Sequence, residues 1–230
     1  MSEDLFLLES KRKSLSKLKK PKEFSTKKAR RLQHLLSTMA ITEDRLPRVI
    51  RFVGGVDVSY TSRYAIAAAV VLSYSSLEIF EQEVVRANCS FPYIPTLLSF
   101  REGPAVCKAI GELKLKPDVY LIEGHGIAHP YRCGLATHVG VVMKIPTIGV
   151  AKGLLCGKVK ERGGRWQPII DKNETIGAAV TTMPGVKPVY VSVGNLVSLN
   201  RAIDIVLHCV KKHRIPEPIR VAHATASKEK

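Results

Sequence analysis

Three acidic residues in this 230-residue chain have types and positions suited to binding a divalent metal ion. Asp57 lies in the alternating segment VGGVDVSY, Glu102 lies just before the Gly-Pro pair that opens a helical pattern, and Glu123 ends the apolar run Val-Tyr-Leu-Ile. Carboxylate oxygens are the ligands that Mg²⁺ and Mn²⁺ prefer. One such residue alone is more often a surface group. Because sites in open α/β sheets gather at the carboxyl ends of central strands, the three acids are expected to converge.

The elements that must position these acids begin with three short strands. Alternating and apolar segments predict strands over 51–60, 64–74 and 78–89, joined as an antiparallel meander. Val56 and Val58 share one face of the first strand, which leaves Asp57 on the other face. Unbroken apolar stretches at 118–123 and 146–151 predict central strands covered on both faces. Ahead of these two strands, Gly103 and Pro104 predict the start of a helix.

Further segments complete the predicted fold. Ser25 and Thr26 are suited to cap a helix over 27–39, and a second helical pattern covers 133–143. Strands are predicted at 176–182 and 188–193, and Ser198 is placed to cap a helix that continues to residue 212. Strands followed by strand-helix alternation predict the α/β class, with a mixed sheet flanked by helices.

The charge of the chain predicts a polyanionic partner. There are 36 Lys and Arg against 20 Asp and Glu, a net charge of +16, and residues 1–31 hold 11 of these cations and 4 of the acids. Lysines and arginines that neutralise phosphates give salt-sensitive, sequence-independent affinity, so nucleic acid is the expected partner. The stretch KRKSLSKLKKPK has few bulky apolar side chains, and residues 1–24 are predicted to form a flexible basic tail.

Secretion and membrane insertion are excluded as leading hypotheses. The five cysteines are odd in number and form no C-x-x-C pair, which is typical of proteins in a reducing interior. The longest uncharged apolar run, Ala65 to Leu72, is far shorter than the roughly 20 residues that span a bilayer. A cytoplasmic protein with no membrane partner is therefore expected.

Five segments resemble, in order, the motifs of the endonuclease V family, nucleases that act on deaminated adenine. They are VGGVDVSY (53–60), FPYIPTLLSFREGP (91–104), EGHGIAHPYRCGLATHVG (123–140), IPTIGVAKGLL (145–155) and RIPEPIRVAHATA (214–226). The resemblance implies a ribonuclease H-like fold and a single catalytic domain over residues 25–226. Residues 227–230 are then expected to be a short C-terminal tail.

The resemblance also implies an activity. It predicts a metal-dependent endonuclease of DNA repair that recognises deoxyinosine or inosine and hydrolyses the second phosphodiester bond on the 3′ side, leaving 3′-hydroxyl and 5′-phosphate ends. The implied metal ligands are Asp57, Glu102 and Glu123, and the implied cofactor is Mg²⁺, with Mn²⁺ as a substitute. DNA containing deoxyinosine is the expected substrate, inosine-containing RNA stays open, and a monomer is assumed.

Glu123 departs from the family pattern, since most relatives have aspartate at that position. The extra methylene moves the carboxylate outward by about 1.5 Å, one C–C bond length. Mg²⁺ demands near-octahedral geometry, so the longer side chain could weaken the site or shift its preference toward Mn²⁺. The alternative hypothesis is therefore a non-catalytic or attenuated nucleic-acid-binding protein on the same fold. A structure-specific nuclease with the same metal site is the remaining enzymatic alternative.

Three more residues receive catalytic or phosphate-binding roles from their motif positions. Lys152, in GVAKG, is predicted to be a cation near the scissile phosphate. His223 is predicted to orient water or transfer a proton near the metal ligands, and His129 to lie near the substrate phosphate or to support its loop. A lone histidine is more often a structural residue, and His125 and His138 are interpreted as such.

The predicted base-recognition residues lie in two motifs. Tyr93, held between Pro92 and Pro95, is expected to wedge into the base stack where the altered base leaves. Glycines let the backbone approach a flipped base closely. The predicted neighbours of that base are Leu98, Gly124, Gly126, Gly134 and Leu135.

Overall fold

The computed structural model describes residues 25–88 and 91–230, which form nine strands and five helices. The strands are β1 (Phe52–Tyr60), β2 (Tyr64–Ser73), β3 (Ile79–Asn88), β4 (Val119–Glu123), β5 (Thr147–Ala151), β6 (Lys158–Val159), β7 (Trp166–Asp171), β8 (Glu174–Val180) and β9 (Val189–Asn195). The helices are α1 (Thr26–Met39), α2 (Leu98–Glu112), α3 (Leu135–Met143), α4 (Leu199–His208) and α5 (Glu217–Lys228). The predicted basic tail, residues 1–24, lies outside the described residues.

The strands form one mixed sheet in the order β3-β2-β1-β4-β5-β9-β8-β7-β6. The first three strands are the predicted antiparallel meander, and β1, β4 and β5 are parallel neighbours at the centre. On the far side of β5, strand β9 pairs antiparallel with β5. The sheet then continues through β8 and β7, which are also antiparallel. The predicted α/β class with a mixed sheet flanked by helices is confirmed.

Apolar side chains cover both faces of the central strands. On one face α4 and α5 pack through Ala202, Ile205 and Ile219 against the sheet, and on the other α2 and α3 pack through Val106 and Val139. All of β4 except its last residue is buried, as predicted for a strand covered on both sides. The polar residue at its end, Glu123, is therefore where the strand meets solvent.

The helix that carries Glu102 begins earlier than predicted. It starts at Leu98, so Glu102 lies in its second turn rather than ahead of it, and Pro104 lies inside the helix. Pro104 has no N–H to donate to the carbonyl of Phe100, but the buried face of the helix, including Val106, Ala109 and Ile110, offsets that loss. The residues before Gly103 thus belong to the same helix as the predicted segment after it.

Three elements were not predicted. Strand β6 has only two residues, and β7 contains Pro168, which weakens a strand pattern. Helix α5 begins with a Pro-Glu-Pro sequence and extends through Lys228, so Ser227 and Lys228 belong to a helix rather than to the predicted tail. Helix α4 ends at His208 instead of residue 212.

Two further observations concern the cysteines and the possibility of a membrane-spanning helix. The four cysteines among the described residues, Cys107, Cys133, Cys156 and Cys209, are free thiols. Within residues 25–88 and 91–230, no helix has the length and apolar character needed to cross a bilayer.

Candidate active site

The parallel pairing of β1 and β4 brings two of the predicted acids to adjacent positions. Val53 pairs with Val119 and Val56 with Ile122, so Asp57 and Glu123 follow side by side at the carboxyl ends of the paired segments. Glu123 in turn pairs with Val150 of β5, and Lys152 directly follows that strand. Strand order therefore explains why residues far apart in sequence meet at one edge of the sheet.

Helix α5 lies directly on β1 and supplies His223 to the same place. A Cβ atom at Gly55 would lie 2.0 Å from the carbonyl oxygen of Pro218, so only glycine allows the helix to approach this closely. Gly55 and Asp57 are two residues apart and share a face of β1. His223 Nδ1 and Asp57 Oδ2 share a hydrogen bond of 2.5 Å.

Asp57, Glu123 and His223 form a compact cluster of potential metal ligands. One donor atom from each lies within 4.8 Å of the others. Lys152 Nζ is 2.6 Å from Glu123 Oε1 and adds a positive charge at the rim of the cluster. The longer side chain of Glu123 therefore reaches both the neighbouring acid and the neighbouring cation.

Glu102 lies near this cluster but is held by a different partner. It is buried on α2, and its Oε1 accepts a hydrogen bond of 2.6 Å from the Tyr60 hydroxyl. Arg101, the preceding residue, stacks its guanidinium over the Tyr60 ring. The charge of Glu123 acts on Glu102, although Glu102 is not part of the compact ligand cluster.

Burial and mutual repulsion perturb the three carboxyl groups. Burial, together with the hydrogen bond and the charge of Glu123, raises the pKa of Asp57 to about 8. Burial and the charge of Glu123 also raise the pKa of Glu102 to about 7, against the opposing effect of the Tyr60 hydrogen bond. Burial disfavours ionisation of Glu123 as well, but hydrogen bonds with Asp57 and Lys152 hold its pKa below the usual value.

This donor set fits a hard divalent cation. Carboxylate oxygens suit Mg²⁺ and Mn²⁺, and one imidazole is compatible with the same metals. Asp57 and Glu102 are held partly protonated at neutral pH, first because burial disfavours their charged forms and then because the charge of Glu123 repels them. A dication would relieve that repulsion, so these residues are suited to hold one.

A cavity of about 220 Å³ opens beside the cluster, between α2 and the loop that follows β4. Tyr93 stands at this cavity with 69% of its surface exposed. The predicted base neighbours Leu98, Gly134 and Leu135 line it, as does His129. Five further lining residues were not predicted: Thr96, Ser99, His125, Cys133 and Leu155.

Gly124 and Gly126, the two remaining predicted glycines, are not among the described residues that line this cavity. Gly126 packs against the backbone of β9, and its N–H donates to Ser192 Oγ at 2.8 Å. Gly124 has a positive φ of 139° and faces Leu135. Their positions suit them to turning the chain behind the cavity wall, while Pro92 and Pro95 flank Tyr93 without lining the cavity themselves.

Both histidines of the cavity are held uncharged. Burial is the main cause that lowers the pKa of His129 to about 4, and the charges of His125 and Arg30 add to it. His129 Nδ1 accepts a hydrogen bond from the Tyr131 N–H. His125 Nε2 donates to the Gly153 carbonyl at 3.0 Å, and burial lowers its pKa. A buried, uncharged His129 fits the loop-supporting role, one of its two predicted roles, better than phosphate binding.

The chain matches one protein family over most of its length. The sequence profile described as Endonuclease V matches residues 34–224. The curated endonuclease V of Roseiflexus sp. (strain RS-1) is 47% identical over 206 residues, covering 88% of this chain and 92% of the relative. The endonuclease V of Nostoc sp. (strain PCC 7120) is 47% identical over 212 residues, covering 90% and 96%.

Solved structures of the same name share the fold. The crystal structure of endonuclease V from Streptomyces avermitilis aligns with a TM-score of 0.84 at 37% identity, covering 89% of this chain and 92% of that chain. That of endonuclease V from Ciona intestinalis, in complex with a 24mer DNA containing an inosine followed by a ribo-adenosine, aligns at 0.80 with 36% identity, covering 86% and 94%.

Proposed function

This chain belongs to the endonuclease V family, and from that premise we propose that it is a divalent-metal-dependent endonuclease that cuts nucleic acid beside deaminated adenine. One observation carries the proposal: a cluster of carboxylates and one imidazole, which runs from buried Asp57 to exposed His223, lies beside a cavity with an exposed tyrosine at its side. The cluster offers phosphodiester chemistry and the cavity offers a place for a single base. The family membership connects the two.

Asp57 and Glu123 would hold the metal ion, with Glu102 completing the ligand set from α2 and His223 lying beside them. The donor types fit Mg²⁺, with Mn²⁺ as a substitute. When bound, the ion would lower the pKa of a coordinated water and neutralise charge on the phosphate. The mutual repulsion that raises the pKa of Asp57 and Glu102 supports this assignment, because it is the electrostatic cost that a bound cation removes.

The protein's own side chains would perform the remaining steps. His223 Nδ1 is hydrogen-bonded to Asp57, which leaves Nε2 as the ring atom that would exchange a proton with the attacking water. Its side chain is 55% exposed, so water has access to it. Lys152, now paired with Glu123, would turn its ammonium group to the phosphate and stabilise the charge that develops there.

The cavity would receive the extruded base. Its volume of about 220 Å³ lies below the roughly 300–1,000 Å³ of drug-sized ligand pockets, which suits one planar base. Tyr93 is exposed on a loop stiffened by Pro92 and Pro95, so its ring is available to fill the gap left in the base stack. We further propose, from the family resemblance, that the base is hypoxanthine and that the cut falls at the second phosphodiester bond on its 3′ side.

One assay tests the proposal. A labelled duplex with a single deoxyinosine, incubated with Mg²⁺, should be nicked at one position, and the nick should be ligatable because its ends are 3′-hydroxyl and 5′-phosphate. The matched duplex with adenine should stay intact, EDTA should stop the reaction, and Asp57→Asn should abolish it. Cleavage of an inosine-containing RNA strand, measured in parallel, shows whether the protein prefers DNA or RNA. Tight binding without any nick, with Mg²⁺ or Mn²⁺, would contradict the enzyme assignment and support a binding protein.

A further inference from the structure

Helix α1 contacts both walls of the cavity through one buried amide. The Gln33 side chain is fully buried, and its Nε2 donates to the Thr96 carbonyl at 2.9 Å and to the Cys133 carbonyl at 2.8 Å. Thr96 and Cys133 both line the cavity, and they belong to two different sequence motifs, 91–104 and 123–140. A single side chain from outside those motifs thus ties the Tyr93 loop to the segment that leads into Gly134.

Arg30 fixes the orientation of this amide. Its Nη1 donates to Gln33 Oε1 at 2.8 Å, so both amide protons of Gln33 are directed to the two carbonyls. Arg30 also donates to Thr96 Oγ1 at 2.6 Å and to the Thr96 carbonyl at 3.2 Å. Its guanidinium lies 4.1 Å from the ring centroid of Tyr131, which holds the group in place.

The backbone that these bonds hold is a strained one. Thr96 has a φ of +69°, which is uncommon for any residue other than glycine and most disfavoured for a β-branched one. Such a conformation persists only where surrounding contacts enforce it. Besides Arg30 and Gln33, His129 hydrogen-bonds to the Thr96 backbone. Thr96 directly follows Pro95, so its conformation sets where the Tyr93 loop ends.

We propose that Arg30 and Gln33, the α1 clamp, are positioning residues that set the width of the base cavity and thereby its preference for the deaminated base. The inference rests on the proposed function of the cavity. Neither residue lines the cavity, so the α1 clamp acts through the Thr96 and Cys133 backbones. Gln33 spans the two walls, and Arg30 keeps its amide from turning over.

The test compares binding preference with catalytic rate. Duplexes that differ only in one deoxyinosine or adenine are titrated in EDTA, and the ratio of the two Kd values gives the preference. Gln33→Met keeps the side-chain length but removes both donors, and it should reduce the preference by about 3- to 30-fold. Affinity for the adenine duplex should be unchanged, and the single-turnover rate at saturating protein and Mg²⁺ should largely be retained. Thr38→Ala, on the exposed side of α1, is the matched control and should keep the full preference.

Three outcomes separate this inference from the proposed function. If the wild-type protein neither nicks the deoxyinosine duplex with Mg²⁺ nor prefers it in binding, the proposed function fails and the α1 clamp inference fails with it. If it nicks that duplex but shows no binding preference, the α1 clamp inference alone is overturned. If the wild type prefers inosine and a folded Gln33→Met protein prefers it equally, the α1 clamp inference alone is overturned. Should Gln33→Met lose its fold, Arg30→Gln serves instead, because Arg30 is only partly buried. A folded Arg30→Gln protein with full preference would also overturn the inference.

Discussion

Glu123 is the residue whose chemistry the sequence left most open. Its extra methylene, compared with the aspartate of most relatives, allows contact with Lys152 Nζ at 2.6 Å while a carboxylate oxygen stays in the cluster with Asp57. Both contacts engage the negative charge of the Glu123 carboxylate, which a metal ion would also bind. In this chain a cation must therefore compete with Lys152 for the Glu123 carboxylate.

Shortening this side chain should make the metal site easier to fill. In Glu123→Asp the carboxylate retracts by about 1.5 Å, one C–C bond, and loses its contact with Lys152. We expect the Mg²⁺ concentration for half-maximal nicking to fall and the ratio of Mn²⁺-supported to Mg²⁺-supported rates to move toward one. Metal titrations of nicking on the deoxyinosine duplex measure both. An identical Mg²⁺ requirement in the two proteins would show that Glu123 does not limit metal binding.

A second residue-scale prediction concerns His138 and acid. Burial lowers the pKa of His138 to about 4, and its buried Nδ1 has no hydrogen-bond partner among the described residues. The unfolded chain, with an ordinary histidine pKa of about 6.5, binds this proton more tightly. The free energy of unfolding therefore falls as pH drops from about 6.5 to about 4, by up to about 3 kcal/mol from this group.

His138→Leu should remove that contribution. The difference in unfolding free energy between variant and wild type, from urea melts at a series of pH values, should be constant above about pH 7 and shift in favour of the variant between about pH 6.5 and pH 4. Taking the difference cancels the other titrating groups, including Asp57 and Glu102, whose raised pKa values act in the opposite direction. A difference that stays flat down to pH 4 would contradict a buried, uncharged His138.

At the scale of elements, strand patterns predicted more than helix patterns did. The apolar run before Glu123 fixes where β4 ends, and the alternation around Asp57 fixes the face of β1 on which it lies, so the meeting of Asp57, Glu123 and Lys152 follows from sequence. The position of Glu102 does not, because Pro104 is tolerated inside α2 through packing that no local pattern reveals. Likewise Thr96 and Cys133 meet Gln33 through backbone carbonyls, which every residue type has.

The contact between α5 and β1 gives an element-scale prediction. Gly55→Ala places a methyl group against the Pro218 carbonyl, so α5 must move away from the sheet. We expect a loss of about 1–3 kcal/mol in the free energy of unfolding, typical of overpacking, and reduced nicking because His223 moves with the helix. Urea denaturation and nicking rates measure these effects.

Gly111→Ala is the matched control for that substitution. A Cβ at Gly111 meets no atom within 4 Å, and the residue lies in α2. The same added methyl group should therefore stabilise the protein by about 0.5–1 kcal/mol, because alanine loses less backbone conformational entropy on folding than glycine does. Equal effects of the two substitutions would show that the close approach of α5 is not what requires glycine at position 55.

At the scale of the whole molecule, positive charge and chemistry are separated. The net charge is +16, yet the candidate metal site is a cluster of acids with Lys152 as its paired cation. A phosphate is repelled by that cluster until a dication is bound, so general affinity for the backbone must come from elsewhere. The stretch from Lys11 to Lys22 has seven Lys and Arg and no acid.

Removing that charge should weaken binding without changing which base is recognised. Each phosphate contact on B-DNA contributes about −0.9 to the slope of log K against log salt, so deleting residues 1–24 should make the slope less steep by up to about 6. Affinity for inosine and adenine duplexes should fall by the same factor, because the cavity lies in the retained domain. A full-length protein with the seven cations replaced by glutamine should behave like the deletion. If only the deletion weakens binding, residues 1–24 contribute to affinity by contacts other than those of their positive charges. If neither change weakens binding, the affinity for the DNA backbone resides in residues 25–230.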